Sequence, residues 1–230
     1  MKMKKYVGIK EVKAQPMTAN QAVEKGYKVG SHSNEDGYEV EYADGYRSWS
    51  PKDVFKEAYQ LAETPLDRML IECRDLTTKV EKLHTFTNSD KFNKLDDATR
   101  VMLLAQKRVM QDYQNLLNIR YTKMENNDGG LSFVSFGVAI TLLSEGFAIR
   151  RIGWNDKGLF VIKQVPAHIE SDVIPKMQSL PQSAKDLILK GKGFIDYTSQ
   201  CLIYNENTGR ADSWVPSISD VFAEDWEIAL

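Results

Sequence analysis

Hydrophobic residues in the middle of the chain recur at helical spacing. Over residues 66–83 they return every three or four positions, which predicts an amphipathic helix of about six turns. Thr64 and Pro65 provide the cap and first-turn proline typical of a helix start. A second helical pattern covers residues 97–124 after a short polar break. Two long helices joined in this way predict an antiparallel helical hairpin.

A small mixed unit precedes the hairpin. Residues 17–29 predict a short helix ending at Gly26, where a left-handed backbone commonly ends a helix. Residues 37–42 alternate apolar and acidic side chains, which is the period of a half-buried strand. A hairpin turn and a return strand follow. Ser50 is predicted to cap the next helix, with Pro51 in its first position.

After the hairpin, helical and strand patterns alternate. A helix is predicted to open at Ser135 and to end at Gly146, and a short helix is predicted at residues 180–188. Strands are predicted at residues 147–149, 159–165, 194–197 and 201–204, and Trp226 begins a final strand. The fold class is therefore α+β. The predicted parts are a small mixed N-terminal unit (1–61), a central antiparallel helical hairpin (62–125), a linker (126–130) and a small C-terminal α+β domain with an antiparallel sheet (131–230).

The charge balance, the apolar segments and the cysteines limit which kinds of partner and compartment the sequence predicts. Thirty basic and 32 acidic residues nearly cancel, so the chain lacks the basic excess typical of proteins that bind polymeric nucleic acid. No segment reaches the roughly 20 apolar residues that span a bilayer, and the basic start, Met1 to Lys5, precedes no apolar run of signal-peptide length. Cys73 and Cys201 match no metal or disulfide spacing. The sequence predicts a cytoplasmic protein without membrane association.

The candidate chemistry centres on the segment Gly153-Trp154-Asn155-Asp156-Lys157-Gly158, followed by Phe160. The glycines allow a tight turn and close approach of a bound group. The two aromatic rings could sandwich a flat base, Asn155 offers a donor and an acceptor, and Lys157 offers a mobile positive charge. The alternative is a turn whose rings fill a small core.

Other candidates flank this segment. Arg150 and Arg151 could supply charge to a phosphate, or could be solvated surface residues. Trp214 is either a second stacking surface or part of the core. Ser217 and Asp220 are predicted to cap a helical turn, although Asp220 could also accept a hydrogen bond from a ribose hydroxyl.

The chain contains two segments of similar sequence. Ser48-Trp49-Ser50-Pro51 resembles Ser213-Trp214-Val215-Pro216, and each follows an alternating strand and a turn. The N-terminal unit is either a shortened relative of the C-terminal domain, or both segments use a common way to leave a strand and begin a helix.

No catalytic set is recognisable in the sequence. His32, His84 and His168 lie in three separate segments, and none stands beside Ser or Cys in a recognised arrangement. No Cys–His metal spacing and no phosphate-binding glycine loop is found. The prediction is a non-enzymatic protein without a cofactor or a metal.

Four segments, in order, resemble the second Thoeris anti-defence family, whose members are phage proteins that sequester cyclic nucleotides: residues 135–146, 150–160, 179–183 and 214–226. The resemblance implies binding of a cyclic ADP-ribose isomer or related cyclic nucleotide without cleavage. It further implies a homo-oligomer, often of four copies, in the cytoplasm of the infected bacterium. The ligand-binding residues expected on this basis are Trp154, Asn155, Lys157, Gly158, Phe160, Trp214, Ser217 and Asp220. Residues 37–125 resemble uncharacterised phage proteins.

Two other functions stay open. The helical hairpin could make the chain a protein–protein adaptor. Scattered carboxylates could make it a cyclic-nucleotide phosphodiesterase. Recovery of a bound cyclic nucleotide in intact form would distinguish binding from cleavage.

Overall fold

The computed structural model describes residues 10–127 and 130–229. It divides the chain into two compact units, Met1–Ile71 and Glu72–Leu230. The predicted boundary after residue 61 stays a prediction, as does the predicted linker at 126–130. Two residues of that linker, Asp128 and Gly129, lie outside the described residues, as does the basic start of the chain.

The first unit contains a three-stranded antiparallel sheet in the order β1-β2-β3. The side chain of Thr18 caps the first helix, and the side chain of Gln21 bonds back to the Thr18 amide. Trp49 packs with Met17 and Ala22 in a buried cluster between helix and sheet. The elements are β1 (Lys13–Thr18), α1 (Ala19–Glu24), β2 (Asp36–Glu41), β3 (Arg47–Pro51) and α2 (Lys52–Ala58).

Two details of the first unit differ from the sequence prediction. Met17 belongs to β1 and not to a helix, because the Thr18 cap makes α1 begin at Ala19. Ser50 is not the cap of α2. Pro51 ends β3 and occupies the cap position without a side-chain bond, and the Ser50 hydroxyl donates to the Pro51 carbonyl.

A helical hairpin occupies the middle of the chain, as predicted. Its helices are α3 (Pro65–Thr87), the short α4 (Asp90–Asn93) and α5 (Asp97–Asn126). Gln114 on α5 donates to the Thr77 hydroxyl at 2.8 Å, and Lys107 donates to Thr87 at 3.3 Å. Residues later in α5 therefore meet residues earlier in α3, which makes the two helices antiparallel.

The C-terminal domain is a five-stranded antiparallel sheet in the order β10-β4-β5-β8-β9, with a separate two-stranded sheet, β6-β7. Helix α6 packs on one sheet face through Ala139 and Leu143, which are buried with Ile149, Val161 and Trp226. The elements are α6 (Phe136–Ser144), β4 (Ile149–Arg151), β5 (Leu159–Gln164), β6 (Ala167–Ile169), α7 (Gln182–Lys190), β7 (Ile195–Tyr197), β8 (Gln200–Asn205), β9 (Arg210–Ser213), α8 (Ile218–Val221), β10 (Trp226–Ile228) and 3-10 helices at Ile152–Lys157 and Ile174–Lys176.

The predicted α+β class is confirmed, with its small sheet units and central hairpin. Helix α6 opens at the predicted place, where the side chain of Ser135 caps it, and Gly146 follows the helix end with a φ of +93°. Strands β6 and β9 were not predicted. The predicted helix at 180–188 begins two residues later, at Gln182, after Pro181.

Candidate functional site

The glycine-bracketed segment forms a 3-10 helix that connects β4 to β5. The amide of Ile152 donates to the Asp225 carbonyl at 2.9 Å, which ties the start of this helix to the segment before β10. Gly158 ends it with a φ of +61°. A Cβ at Gly158 would lie 3.0 Å from the side-chain nitrogen of Asn207. Glycine is therefore favoured here, because any side chain would be strained in this left-handed backbone and crowded by Asn207.

Three indoles form what we call the tryptophan cluster: Trp154, Trp214 and Trp226. Trp226 lies fully buried at its centre, and its indole N–H donates to the Asp220 carbonyl at 3.1 Å. Trp154 and Trp214 each meet Trp226 edge to face, with ring centroids 5.5 and 6.2 Å away. Both outer indoles remain half-buried. They therefore contribute to the core and also present ring surface at its edge.

Phe160 lies on the other face of the sheet. Its neighbour Val161 is buried in the core that Trp154 contacts, and successive residues of a strand point to opposite faces. The Phe160 ring instead pairs with Tyr204 on β8, with centroids 5.3 Å apart. The proposed sandwich of one base between Trp154 and Phe160 within a single chain is therefore wrong. Phe160 and Trp154 are separate aromatic surfaces.

The two arginines before the 3-10 helix are engaged within the chain. Arg150 donates to Glu227 at 2.7 Å, and both side chains are mostly buried. Arg151 donates to Asp220 at 3.1 Å and also to Asp225. Neither arginine is therefore a solvated surface residue, which corrects that interpretation, whereas a contribution of their charge to phosphate binding stays a prediction. Lys157, by contrast, is an exposed charge on the 3-10 helix.

Ser217 and Asp220 form a reciprocal capping box at the start of α8. Asp220 is buried and accepts from the Ser217 amide at 2.9 Å and from its hydroxyl at 2.7 Å, in addition to Arg151. The predicted helix cap is present. With these donors in place, the carboxylate fixes α8 to β4, whereas a role toward a ribose hydroxyl stays a prediction.

The predicted site residues thus fall into three groups. Trp154 and Trp214 are joined through Trp226, and Asn155 and Lys157 are exposed on the 3-10 helix beside Trp154. Gly158, Ser217 and Asp220 hold the backbone that carries them. Phe160 lies apart, on the opposite sheet face.

Sequence reasoning missed the partners that position this site. Asn207 packs on Gly158, Tyr204 packs on Phe160, and Asp225 binds Arg151. The Asn205 side chain accepts from the amides of Asn207 and Thr208, which organises that turn. An Asn-x-Asn spacing typical of a turn was the available signal for Asn207.

Other candidate chemistry lies elsewhere. His168 on β6 bonds to Asp196 on β7 at 2.6 Å, and this bond is the main cause of its raised pKa. Within the described ranges, no group of three or more His, Cys, Asp or Glu side chains could hold a metal ion. In the same residues, no helix is long and apolar enough to cross a membrane.

Comparison with known proteins assigns two segments. A family model described as Sequestin matches residues 63–123, which cover most of the helical hairpin. A model described as the Thoeris anti-defense 2-like domain matches residues 134–229. The second match contains the 3-10 helix and all three tryptophans of the cluster.

A curated relative covers the same region. Thoeris anti-defense 2 of Bacillus phage SP01 is 30% identical to this chain over 100 residues, which are 41% of this chain and 93% of the relative. Nearly the whole relative is therefore matched by the C-terminal domain described above. Through this domain, the chain belongs to the Thoeris anti-defense 2 family.

Proposed function

We propose that this protein binds a cyclic ADP-ribose-type immune signal and sequesters it without cleaving it, so that the host effector is not activated. Membership of the Thoeris anti-defense 2 family gives the chain a phage anti-defence role. The observation that carries the finer proposal is the 3-10 helix, which presents Asn155 and Lys157 next to the half-buried indole of Trp154.

Each part of such a ligand has a matching group at this position. The outer rings of the tryptophan cluster offer stacking surface for adenine, worth roughly 1–3 kcal/mol per base. The Asn155 amide offers a donor and an acceptor for a ribose or base edge. Lys157 is an exposed ammonium suited to a pyrophosphate, while the nearby arginines are already neutralised. Cyclic oligonucleotides share the same chemistry of flat bases and phosphates and are a second class to test.

The charge arrangement favours binding over cleavage. A general base needs a carboxylate or imidazole within reach of the proton that it removes. Asp220, near the tryptophan cluster, already accepts from Ser217 and Arg151, and Asp225 accepts from Arg151 as well. Asp220 thereby ties α8 to β4, and Asp225 ties the segment before β10 to β4. The engagement of these two acids supports a role as a sink and not as a phosphodiesterase, and the exposed Asp156 is then the carboxylate of the 3-10 helix to test for cleavage.

We further propose that the protein acts in the cytoplasm of the infected bacterium as a homo-oligomer of four copies, with no polymeric nucleic acid or membrane as partner. Val215, Ile218 and Phe222 support association of the C-terminal domain. Their exposed fractions are 81%, 80% and 79%, although they are large and apolar. All three lie in the segment that follows the cluster residue Trp214.

Calorimetric titration of the purified full chain with cyclic ADP-ribose isomers, and with cyclic oligonucleotides, tests the proposal. We expect saturable binding of at least one of them. The protein is then denatured, and the released nucleotide is identified by chromatography and mass spectrometry. Intact nucleotide supports sequestration, whereas a linear or hydrolysed product supports the phosphodiesterase alternative. Absence of binding to every nucleotide would leave a protein–protein adaptor as the better function.

A further inference from the structure

The turn between β8 and β9 lies against the end of the 3-10 helix. The Glu206 amide donates to the Gly158 carbonyl at 2.8 Å. A Cβ at Gly158 would lie 3.0 Å from the side-chain nitrogen of Asn207, 3.2 Å from its Cγ and 3.3 Å from its side-chain oxygen. Because these three distances are nearly equal, the Asn207 carboxamide lies face-on against the glycine. Its donor and its acceptor therefore point sideways, and neither is directed at Gly158.

The backbone that carries Asn207 is held without the help of this carboxamide. The Asn205 side-chain oxygen accepts from the Asn207 amide at 2.9 Å and from the Thr208 amide at 3.1 Å. The Gly209 amide donates to the Asn205 carbonyl at 2.8 Å, and Gly209 takes a φ of +68°. Within residues 10–127 and 130–229, the Asn207 carboxamide has no hydrogen-bond partner. It is therefore fixed in place and available to a ligand.

The charges beside Asn207 indicate which part of a nucleotide it can contact. Asp156, on the 3-10 helix, and Glu206, in the turn, are exposed carboxylates without an ion pair in the described part of the chain. Lys157 is the cation between Asp156 and Gly158. Two carboxylates disfavour a phosphate at Asn207 itself. Hydroxyl groups suit this position better, because a carboxamide offers one of them a donor and its neighbour an acceptor.

We propose that Asn207 is a ribose-binding residue of the candidate site, with its carboxamide donating to one ribose hydroxyl and accepting from the next. This inference rests on the proposed function and adds a contact from a second element, the turn between β8 and β9. Asn155 and Asn207 meet at Gly158, whose amide donates to the Asn155 carbonyl at 3.0 Å. The contact makes the site selective for ribose over deoxyribose.

Asn207→Leu separates hydrogen bonding from packing. The change keeps a side chain of similar volume against Gly158 and removes both polar groups. In calorimetric titration of the full chain with cyclic ADP-ribose isomers, we expect the affinity to fall about fivefold to 30-fold, since one or two hydrogen bonds are lost. Asn207→Asp keeps an acceptor for a hydroxyl and should lose less. Asn34→Leu, the same change in an exposed turn of the N-terminal unit, is the matched control and should bind like the wild type.

Analogues of the ligand give a result that a purely structural role of Asn207 would not produce. Two analogues of the tightest-binding isomer, each lacking the free hydroxyls of one ribose, are titrated into the wild type and into Asn207→Leu. For one analogue we expect the two proteins to bind equally well, because the hydroxyls that Asn207 contacts are absent. Thermal melts confirm that each variant is folded.

The outcomes separate this inference from sequestration. If the wild type binds an isomer and Asn207→Leu binds it equally well, the inference is overturned and sequestration stands. A larger loss in Asn207→Asp than in Asn207→Leu would place a phosphate at this position and overturn the ribose contact. An undiminished effect of Asn207→Leu on both analogues would do the same. A wild type that binds no cyclic nucleotide would overturn the proposed function and this inference together.

Discussion

The N-terminal unit and the C-terminal domain anchor their sheets in the same way but expose different surfaces. In each, an indole N–H donates to a backbone carbonyl, from Trp49 to Met17 at 2.9 Å and from Trp226 to Asp220 at 3.1 Å. Trp49 completes a small buried cluster. Trp226 additionally supports Trp154 and Trp214, which remain half-buried. A similar anchor thus completes a closed cluster in one sheet, and in the other it also supports two indoles that are only half-buried.

Each unit also contains a buried carboxylate that binds donors of its own chain. Glu39 in the N-terminal unit accepts from Gln15 and Tyr27 at 2.6 Å and from Lys25 at 3.3 Å, which ties the end of α1 to the sheet. Asp220 in the C-terminal domain ties α8 to β4 through Arg151. Both carboxylates are saturated with donors from their own chain. A buried, charged residue is therefore a poor guide to the ligand site in this protein, and the exposed polar residues of the 3-10 helix are better candidates.

The internal repeat inferred from Trp49 and Trp214 stays a hypothesis. In the N-terminal unit, β1 precedes the helix and pairs with β2, the next strand. In the C-terminal domain, Val134 precedes the helix and pairs with β10, which then pairs with β4. If the two units are related, β10 is the main difference between their sheets. It lies between the segment at Val134 and β4, whereas the corresponding β1 and β2 of the N-terminal unit pair directly.

The two units are compared most directly by removing the buried tryptophan of each sheet, and this change is expected to have the largest effect. Trp226→Ala deletes a fully buried indole and should lower the free energy of unfolding by about 3–5 kcal/mol, with loss of nucleotide binding. Denaturant unfolding and calorimetric titration measure both. Trp49→Ala is the matched variant and should reduce stability while nucleotide affinity is retained. Equal loss of affinity in both variants would contradict the assignment of the ligand to the C-terminal domain.

Trp154→Ala tests the exposed part of the tryptophan cluster. Loss of one stacking face should weaken binding by roughly 1–3 kcal/mol, or about fivefold to 150-fold. Because Trp154 also packs on Trp226, a thermal melt must accompany the titration. Trp154→Phe keeps an aromatic ring and should recover part of the affinity. A folded Trp154→Ala protein with wild-type affinity would place the site elsewhere.

Asn155→Ala should have a smaller effect. The loss of one hydrogen bond costs about 1 kcal/mol, or roughly fivefold in affinity. Since Asn155 is exposed, the melting temperature should not change. Asp156→Ala, at the next exposed position, serves as the control and should bind like the wild type. If the two variants are indistinguishable in calorimetry, Asn155 does not contact the ligand.

The smallest effect is expected in the N-terminal unit and depends on pH. Hydrogen bonds from Tyr27 and Gln15 lower the pKa of Glu39 from 4.5 to about 2. The stability that this carboxylate contributes is therefore present above pH 4.5 and is lost as the pH falls toward 2. Glu39→Gln should remove this part of the acid dependence of unfolding, whereas Glu24→Gln, at an exposed site, should preserve it. Identical acid profiles for all three proteins would show that the Glu39 bonds do not couple to folding.

Much of the local structure was determined by the sequence. The caps at Thr18, Ser135 and Ser217 each bond to a backbone amide three residues later, and apolar residues recur at helical spacing along the long helices. Both signals lie within a few residues of the element that they specify. The cap at Ser217 and the helix that opens at Ser135 were predicted on this basis. The cap at Thr18 was missed because the apolar Met17 before it was assigned to the helix.

The composition of the candidate site was also present in the sequence. Trp154, Asn155 and Lys157 stand out because glycines bracket them, and the left-handed backbone of Gly158 agrees with that interpretation. Strand β9, by contrast, consists of four exposed residues without apolar alternation, so nothing in its sequence distinguished it from a turn.

Only the tertiary structure decided which side chains are available at that site. Arg151 meets Asp225 and Asp220, which lie 74 and 69 positions away, and is neutralised there. Phe160 faces away from Trp154 because Val161, one residue on, pairs with Ile149 in the core. Strand register and long-range charge pairing are set by the packing of the whole domain, since each depends on where distant segments settle. The sequence by itself determined which chemistry the loop carries, and the fold decided which part of it faces solvent.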